Sequence, residues 1–258
     1  MIPHARHLSC ATDGDVPHLI ILHGLLGSSD NWQSLGKRYA ERHHVWMLDA
    51  RNHGRSPHDD THTYEAMTQD VIDFMDDRGI AKARLLGHSM GGKTVLLLSQ
   101  LHPERVDRMI VADIAPRAYT PHHAPIFDAL LATDPNHASS REEIQAQLND
   151  ALSHDPVLVP FLMKGLHRLK DGGFAWRFNV PTLRKALDDI VGEIAVGINT
   201  LPALFIRGSE SEYVSDDDLD ELEGHFLHMD HHTIHGAGHW LQAQDPDEFF
   251  EVTSDFLD

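Results

Sequence analysis

Cysteine and long apolar runs are nearly absent from this 258-residue chain, and both absences reduce the number of protein classes to which it can belong. The one cysteine, Cys10, excludes an internal disulfide and any multi-cysteine zinc site. No segment is long and apolar enough to span a bilayer, and residues 1–6 lack the hydrophobic stretch of a signal peptide. We therefore expect a cytoplasmic protein.

Basic residues are also scarce, since 21 Lys and Arg stand against 40 Asp and Glu, a net charge of −19. A surface of that sign repels nucleic acid and anionic membranes, so we expect neither as a partner. Only six of the basic residues are lysine, which suggests adaptation to a salty environment. Composition leaves the oligomeric state open.

Histidine is abundant instead, with 22 residues. His228, His231, His232 and His235 stand close together in the sequence. In an extended strand they project to different faces, and no carboxylate or cysteine completes a recognised ligand spacing. We expect no metal site and no cofactor.

The most informative stretch is Gly87-His88-Ser89-Met90-Gly91, a G-x-S-x-G pattern between a short apolar run and a helix-like segment. A serine attacks a carbonyl only where its hydroxyl is clear of its own main chain, as in a tight strand-to-helix turn flanked by small residues. The start of the helix also directs free N–H groups and the positive end of its dipole at the serine. Ser89 is therefore the candidate nucleophile.

A glycine-rich loop, residues 23–27, follows an earlier strand-like run. Acyl transfer to a serine needs N–H donors for the oxyanion that develops on the substrate. The N–H groups of Leu25 and of Met90, just after the nucleophile, are expected to form this oxyanion hole. His23 and Gly24 would then lie beside the bound substrate.

The general base is expected late in the chain. His239 follows the small residues Gly236-Ala237-Gly238 and precedes a terminal amphipathic helix. An imidazole in such a loop can reach the nucleophile, and its neighbour Trp240 is expected to contact substrate. His88, although adjacent to the serine, belongs to the turn and is expected to pack there.

The chain resembles the α/β-hydrolase superfamily and, within it, the small bacterial YbfF-type carboxylesterases. The resemblance implies an α/β fold with a mostly parallel sheet flanked by helices and a helical cap inserted between strands 6 and 7. It also implies hydrolysis of carboxylic esters by a Ser-Asp-His triad. The blocks that carry it are His23-Gly24-Leu25-Leu26-Gly27-Ser28, Asp49-Ala50-Arg51-Asn52-His53-Gly54-Arg55-Ser56-Pro57, Gly87-His88-Ser89-Met90-Gly91-Gly92-Lys93, Asp113-Ile114-Ala115-Pro116, Trp176-Arg177-Phe178-Asn179-Val180 and Gly238-His239-Trp240.

Two places remain open for the acid. In many superfamily members it lies three residues past a glycine that corresponds to Gly208, where this chain has Ser211, flanked by Glu210 and Glu212. Asp113 instead ends a strand-like run, at the edge where open α/β sheets gather their chemistry. A carboxylate there can hold the far nitrogen of the histidine. The resemblance implies the same placement, and we assign Asp113, with Glu210 and Glu212 as alternatives.

Residues 49–57 close another apolar run and are rich in side chains that hydrogen-bond their own backbone. We expect this loop to brace the floor of the site. Direct catalysis by His53 or Arg51 is not expected, because His239 is the better-placed base.

Strand and helix signals alternate up to residue 113, lapse after about 117 and resume at Ala203. We expect a core domain of residues 1–116 and 196–258 and a helical cap of residues 117–195. An insertion at the catalytic edge overhangs the site. The candidate acyl-pocket residues in it are Phe161, Leu162, Met163, Leu166, Trp176 and Phe178.

These residues predict a serine hydrolase that cleaves a small-molecule acyl ester or thioester through an acyl-enzyme. An acyl-CoA thioesterase or a cofactor-free haloperoxidase could use the same triad and differ only in the cap. A non-catalytic ligand-binding protein on this scaffold is the alternative from another class. It would normally have lost part of the nucleophile, base and oxyanion set, all of which is present.

Overall fold

The computed structural model of the chain describes residues 1–11, 16–152, 156–170 and 172–258. The strands are β1 (Ala5–Leu8), β2 (His18–Leu22), β3 (His44–Leu48), β4 (Ala83–His88), β5 (Val106–Ala112), β6 (Leu166–Arg168), β7 (Phe174–Trp176), β8 (Asn199–Gly208) and β9 (Phe226–Ile234). Seven of them form the main sheet in the order β1-β3-β2-β4-β5-β8-β9. Only the pair of β1 and β3 in this sheet is antiparallel, so the carboxyl ends of the other strands meet at one edge.

The helices are α1 (Gln33–Tyr39), α2 (Tyr64–Asp77), α3 (Met90–Leu101), α4 (Ala124–Ala132), α5 (Arg141–Ala151), α6 (Leu158–Lys164), α7 (Val180–Lys185), α8 (Leu187–Val191), α9 (Asp216–His225), α10 (Leu241–Gln244) and α11 (Pro246–Leu257). Polar residues begin several of them. Ser140 accepts a hydrogen bond from the N–H of Glu143, and Ser215 forms a capping box with Asp218. No helix in the described part of the chain is long and apolar enough to cross a membrane.

The core lies on both faces of the main sheet because strand side chains alternate between faces. In β2, Ile20 and Leu22 pack on the face covered by α2 and α3, whereas Leu19 and Ile21 pack on the face covered by α1 and α11. Buried side chains of α4 to α7 continue the first of these two clusters. The sheet and the helices after β5 therefore share one hydrophobic core.

Residues 117–195 lie between β5 and β8 and contain α4 to α8 and the β6–β7 hairpin. In chain order, β5 and β8 are the fifth and sixth strands of the main sheet, because four sheet strands precede β5 in the described residues. The insertion therefore comes one strand earlier than the expected position between strands 6 and 7. Helix α6 of this segment ends at Lys164. Gly165 follows, and a Cβ there would lie 2.2 Å from the ring of Phe178, so the chain turns against that ring and continues as β6.

Candidate active site

Ser89 stands in a tight turn between the end of β4 and the start of α3. Its φ of +53° lies in the left-handed region, which a serine rarely occupies without support from the surrounding structure. Glycine is required on both sides. A Cβ on Gly87 would lie 2.3 Å from the carbonyl oxygen of Gly91, and a Cβ on Gly91 would lie 2.4 Å from that of Leu22. The turn thus presents the serine hydroxyl at the carboxyl edge of the sheet.

A hydrogen-bonded series of three side chains begins at this hydroxyl. The Nε2 atom of His239 lies 3.1 Å from the Oγ atom of Ser89, and its Nδ1 atom lies 2.8 Å from the Oδ2 atom of Asp113. The aspartate is fully buried, whereas the imidazole keeps 23% of its side-chain surface exposed. With the proton on Nδ1 donated to the carboxylate, Nε2 is free to accept the serine proton.

Asp113 is the carboxylate that the structure brings to this imidazole. It directly follows β5, has a φ of +52°, and its Oδ1 atom accepts a hydrogen bond from the N–H of Gly208 at 3.1 Å. Glu210 and Glu212 are exposed and have no hydrogen bond to His239 among the described residues. The geometry therefore supports Asp113, and the alternative in the loop after Gly208 has no contact with His239 in the described residues to support it.

Ser211 is a site residue whose role sequence reasoning missed. Its hydroxyl donates a hydrogen bond to the Oδ2 atom of Asp113, the same oxygen that faces His239. The available signal was its position three residues after Gly208, where related sequences often have a carboxylate. The Ser211 hydroxyl thus holds Asp113, which follows the neighbouring strand β5, in addition to the contact that Asp113 makes with His239.

The loop that carries His239 is fixed by two further rings. Tyr213 stacks on the imidazole at a centroid distance of 3.8 Å. The Nε2–H group of His88 donates to the backbone carbonyl of His239 at 2.8 Å. Burial lowers the pKa of His88 to about 3, so this histidine is neutral at neutral pH and keeps a single N–H for that bond. His88 packs in the turn and also holds the histidine loop.

Two backbone N–H groups near Ser89 have no acceptor among the described residues. One belongs to Met90, the first residue of α3, and the other to Leu25 in the loop after β2. Gly24 lies against the nucleophile, since a Cβ there would be 3.2 Å from the Cβ of Ser89. The loop and the start of α3 are thus close enough for both N–H groups to serve one oxyanion.

His23 is buried, so its contact with substrate stays a prediction that no exposed ring surface supports. It is 2% exposed, and both ring nitrogens are bonded to backbone. Nδ1 lies 2.8 Å from the carbonyl oxygen of Gly24, and Nε2 accepts the N–H of Ala50 at 3.0 Å. The Gly24 carbonyl and the Leu25 N–H belong to one peptide unit. The bond from His23 to this carbonyl therefore fixes the orientation of the Leu25 N–H as well.

The aromatic candidates of the inserted segment divide into two groups. Phe161 on α6 is partly exposed and packs against Trp240 at a centroid distance of 4.9 Å, which joins the segment to the residue after His239. Trp176 is also partly exposed and stacks on Phe178. Phe161, Trp176 and Trp240 therefore have surface available to a ligand.

The other candidates of that segment are buried in its own core. Leu162 is 0% exposed and Phe178 is 3% exposed, and Met163 and Leu166 are buried as well. Helix α6 and the turn after β7 direct the side chains of Leu162 and Phe178 inward, so their contact with substrate stays a prediction that no exposed surface supports. Their contribution is to packing.

No group of histidine, cysteine and carboxylate side chains in the described residues has the geometry of a metal site. The histidines of β9 instead lie apart along the outer strand of the sheet. His232 pairs with Glu248 at 2.8 Å, and His231 lies 4.0 Å from Glu223. These are contacts at the surface, where such pairs have small energetic weight.

Comparison with known families matches residues 17–146 to the family described as alpha/beta hydrolase fold. Among curated proteins, the chain is 39% identical over 240 residues to Esterase YbfF of Escherichia coli (strain K12), with 93% of this chain and 92% of that protein covered. It is 36% identical over 260 residues to sn-1-specific diacylglycerol lipase ABHD11 of Mus musculus, with 95% and 83% covered.

Solved structures are similar to this chain over nearly its whole length. A structure described as a marine microorganism esterase has a TM-score of 0.94 and 37% identity to this chain, with 99% of each chain covered. The E-2-(acetamidomethylene)succinate hydrolase has a TM-score of 0.77 and 18% identity, also over 99% of each chain. The second likeness concerns the fold alone.

Proposed function

Because this chain belongs to the α/β-hydrolase fold family and is an ester-hydrolysing enzyme, we propose that Ser89, Asp113 and His239 form its catalytic triad. The observation that carries the proposal is the hydrogen-bonded series from serine through imidazole to carboxylate, with both imidazole nitrogens engaged. The two unpaired N–H groups beside the serine support it independently, because acyl transfer needs oxyanion donors as well as a nucleophile.

The proposed reaction has two acyl-transfer steps. His239 takes the proton of Ser89 as the serine oxygen attacks the ester carbonyl, and the resulting oxyanion accepts hydrogen bonds from the N–H groups of Leu25 and Met90. The imidazolium then gives its proton to the leaving alcohol, and the acyl group stays on the serine. Water repeats the sequence, which releases the carboxylic acid and restores the hydroxyl.

We further propose the division into a core domain of residues 1–116 and 196–258 and a cap of residues 117–195. Both ends of the inserted segment meet near the nucleophile helix, since the buried Nζ atom of Lys93 donates to the carbonyl oxygens of Arg117 and Gly192. The acyl group would lie between the cap and the triad, against Phe161 and Trp240. The cytoplasmic location stays a prediction.

Replacement of the nucleophile tests the proposal. Ser89→Ala should lower kcat for p-nitrophenyl esters on the order of 10⁶-fold, because the covalent route is lost. Circular dichroism and thermal unfolding should match the parent protein, and a fluorophosphonate probe should label the parent protein but not the variant. Hydrolysis by Ser89→Ala at a rate comparable to the parent would show that another residue carries the reaction.

The same assay separates the substrate classes. Turnover of p-nitrophenyl esters of increasing acyl length, beside acyl-CoA thioesters, measures chain-length preference and ester against thioester preference. We propose oxygen esters as the main substrates because the curated relatives and the solved structure above are named as an esterase, a lipase and an esterase. A higher kcat/KM for acyl-CoA would transfer the assignment to thioesters, and halide oxidation is the readout for haloperoxidase activity.

A further inference from the structure

The position of the proposed oxyanion donor depends on a loop that is not held by regular secondary structure. Leu26, the residue after the Leu25 donor, has a φ of +60° and is 4% exposed. Its N–H donates a hydrogen bond to the Nε2 atom of His53 at 3.1 Å. The Leu26 N–H belongs to the peptide next to the one that carries the Leu25 donor, so this bond holds the chain immediately after the donor.

His53 is well suited to hold that bond in one direction. It is 0% exposed, and its Nδ1–H group donates to the carbonyl oxygen of Arg51 at 2.9 Å, which leaves Nε2 as an acceptor. Burial holds the pKa of His53 well below its usual range, so the ring remains neutral near neutral pH. A protonated ring would place two N–H groups against each other at Leu26.

The residue before His53 links the same loop to the inserted segment. Asn52 has a φ of +64° and is completely buried. Its carbonyl oxygen accepts the N–H of Asn179 at 2.8 Å, and its Oδ1 atom accepts the Asn179 side-chain amide at 3.1 Å. Asn179 also caps α7 in the inserted segment. Two adjacent buried residues thus join the two segments, because His53 contacts the oxyanion loop and Asn52 contacts the cap.

Backbone strain is concentrated at these same positions. The non-glycine residues with positive φ in the described part of the chain are Leu26, Asn52, Ser89 and Asp113. Such a residue keeps this conformation only where its surroundings over-determine it. Two of the four are the proposed nucleophile and acid, and the other two are joined through the Asn52-His53 step. Support for the strained loop is therefore part of the architecture of the site.

We propose that His53 is a positioning residue for the oxyanion hole, and that Asn179, through Asn52, extends this positioning to the cap. The inference rests on the proposed function, because it assigns the Leu25 N–H to the oxyanion. His53 does not touch substrate. It sets where the donor lies, so its loss should weaken transition-state binding more than ground-state binding.

Two conservative variants separate the two hydrogen bonds of the ring. His53→Asn places an amide near the Nδ1 position, which keeps the bond to Arg51 and loses the acceptor for Leu26. His53→Gln reaches the Nε2 position and keeps that acceptor. We expect kcat of His53→Asn to fall about 100-fold with KM nearly unchanged, the size of effect seen when an oxyanion donor is lost or displaced. His53→Gln should recover most of that loss.

The matched control is His43→Asn. His43 is 2% exposed, its Nδ1 atom lies 3.3 Å from the carbonyl oxygen of Tyr39, and its Nε2 atom lies 2.9 Å from Nη1 of Arg84, so neither ring nitrogen contacts the oxyanion loop or residues 49–57. The control removes a buried, hydrogen-bonded imidazole from another part of the chain and should leave kcat close to that of the parent protein. Urea unfolding of all variants measures the cost in stability separately.

A second readout is the affinity for a trifluoromethyl ketone, which forms a tetrahedral adduct with the active serine and so depends on the oxyanion hole. We expect His53→Asn to lose about 100-fold in this affinity, in parallel with kcat, because both depend on the same donor. Asn179→Ser keeps a capping side chain for α7 and the backbone hydrogen bond to the Asn52 carbonyl, but it loses the side-chain amide bond to the Oδ1 atom of Asn52. It should lose part of the same affinity, by several-fold, with KM again nearly unchanged.

The outcomes also separate the inference from the function on which it rests. If the parent protein lacks esterase activity, or if Ser89→Ala retains it, the proposed function fails. If the parent protein is active and His53→Asn, His53→Gln and His43→Asn lose kcat and ketone affinity equally, or not at all, the positioning role of His53 is overturned. If Asn179→Ser alone matches the parent protein in ketone affinity, the role of the Asn179 side chain in the link to the cap is overturned.

Discussion

The carboxyl edge of the sheet and the inserted segment meet where Phe161 packs against Trp240, next to His239, but they differ in how their residues are held. Ser89 and Asp113 follow adjacent parallel strands whose register pairs His88 with Ala112, and hydrogen bonds fix both side chains to His239. Phe161 lies on the seven-residue helix α6 and makes an aromatic contact with Trp240. The sheet edge thus fixes the chemistry, while the insertion supplies a surface that can vary without disturbing it.

The largest expected effect tests whether the sheet edge alone supplies the acid. Asp113→Asn should lower kcat by about 10⁴-fold, because an amide facing Nδ1 favours the wrong imidazole tautomer. Glu210→Gln and Glu212→Gln are the controls, since both glutamates are exposed and distant from that nitrogen, and they should be nearly silent. Steady-state ester hydrolysis, with folding checked by circular dichroism, measures all three. The reverse ranking would return the acid to the loop after Gly208.

A second test divides the insertion into its core and its cleft surface. Leu162→Ala should lower the free energy of unfolding by about 2–5 kcal/mol, because it empties a fully buried site, while kcat for short esters changes little. Phe161→Ala, one residue earlier on α6, should have the opposite profile. Its partly exposed ring offers ligand contact, so kcat/KM for long acyl esters should fall about tenfold with a smaller loss of stability.

Urea unfolding and a chain-length series of p-nitrophenyl esters measure the two effects. Equal behaviour of Leu162→Ala and Phe161→Ala in both assays would mean that α6 has no functional face. A chain-length preference that moves only in Leu162→Ala would place the buried side of the helix at the acyl group and would contradict the division drawn above.

The same contrast explains how far the sequence could predict the site. The turn around Ser89 was predictable because Gly87 and Gly91 are required by backbone contacts that any such elbow makes. The placement of Asp113 followed from its position at a strand end. The burial of Leu162 was not predictable because a helix of two turns does not reveal from its sequence which face is buried, and the burial of Phe178 depends on the contact of its ring with Gly165.

Contacts between distant segments were beyond sequence reasoning. His23 sits in the expected loop, but its inward orientation depends on the N–H of Ala50 in another loop. The pairing of Asn52 with Asn179 joins residues 127 positions apart, and it exists only because the inserted segment docks on the loop of residues 49–57. Bracing by that loop was anticipated from its polar composition, whereas the atoms that it holds were not.

The smallest expected effect per residue is on the free energy of unfolding at acid pH, and it arises from the buried histidines near the carboxyl edge of the sheet. Burial lowers the pKa of His23 and His53, and it lowers that of His62 to about 4 and that of His88 to about 3. In the unfolded chain a histidine binds its proton near pH 6.5. Between the folded and unfolded pKa values the unfolded chain therefore binds more protons, and the free energy of unfolding falls as the pH is lowered below about 6.5.

Each such histidine should contribute a slope of about 1.4 kcal/mol per pH unit within its window. His62→Gln should therefore reduce the loss of stability between pH 6 and pH 4.5, because Gln cannot bind the proton that drives unfolding. His58→Gln, at an exposed position four residues earlier, is the control for the substitution itself. The measurement is urea unfolding across this range, with each variant compared to the parent protein at the same pH. An unchanged slope in His62→Gln would mean that the imidazole is accommodated in its charged form, and that acid lability arises outside the sheet edge.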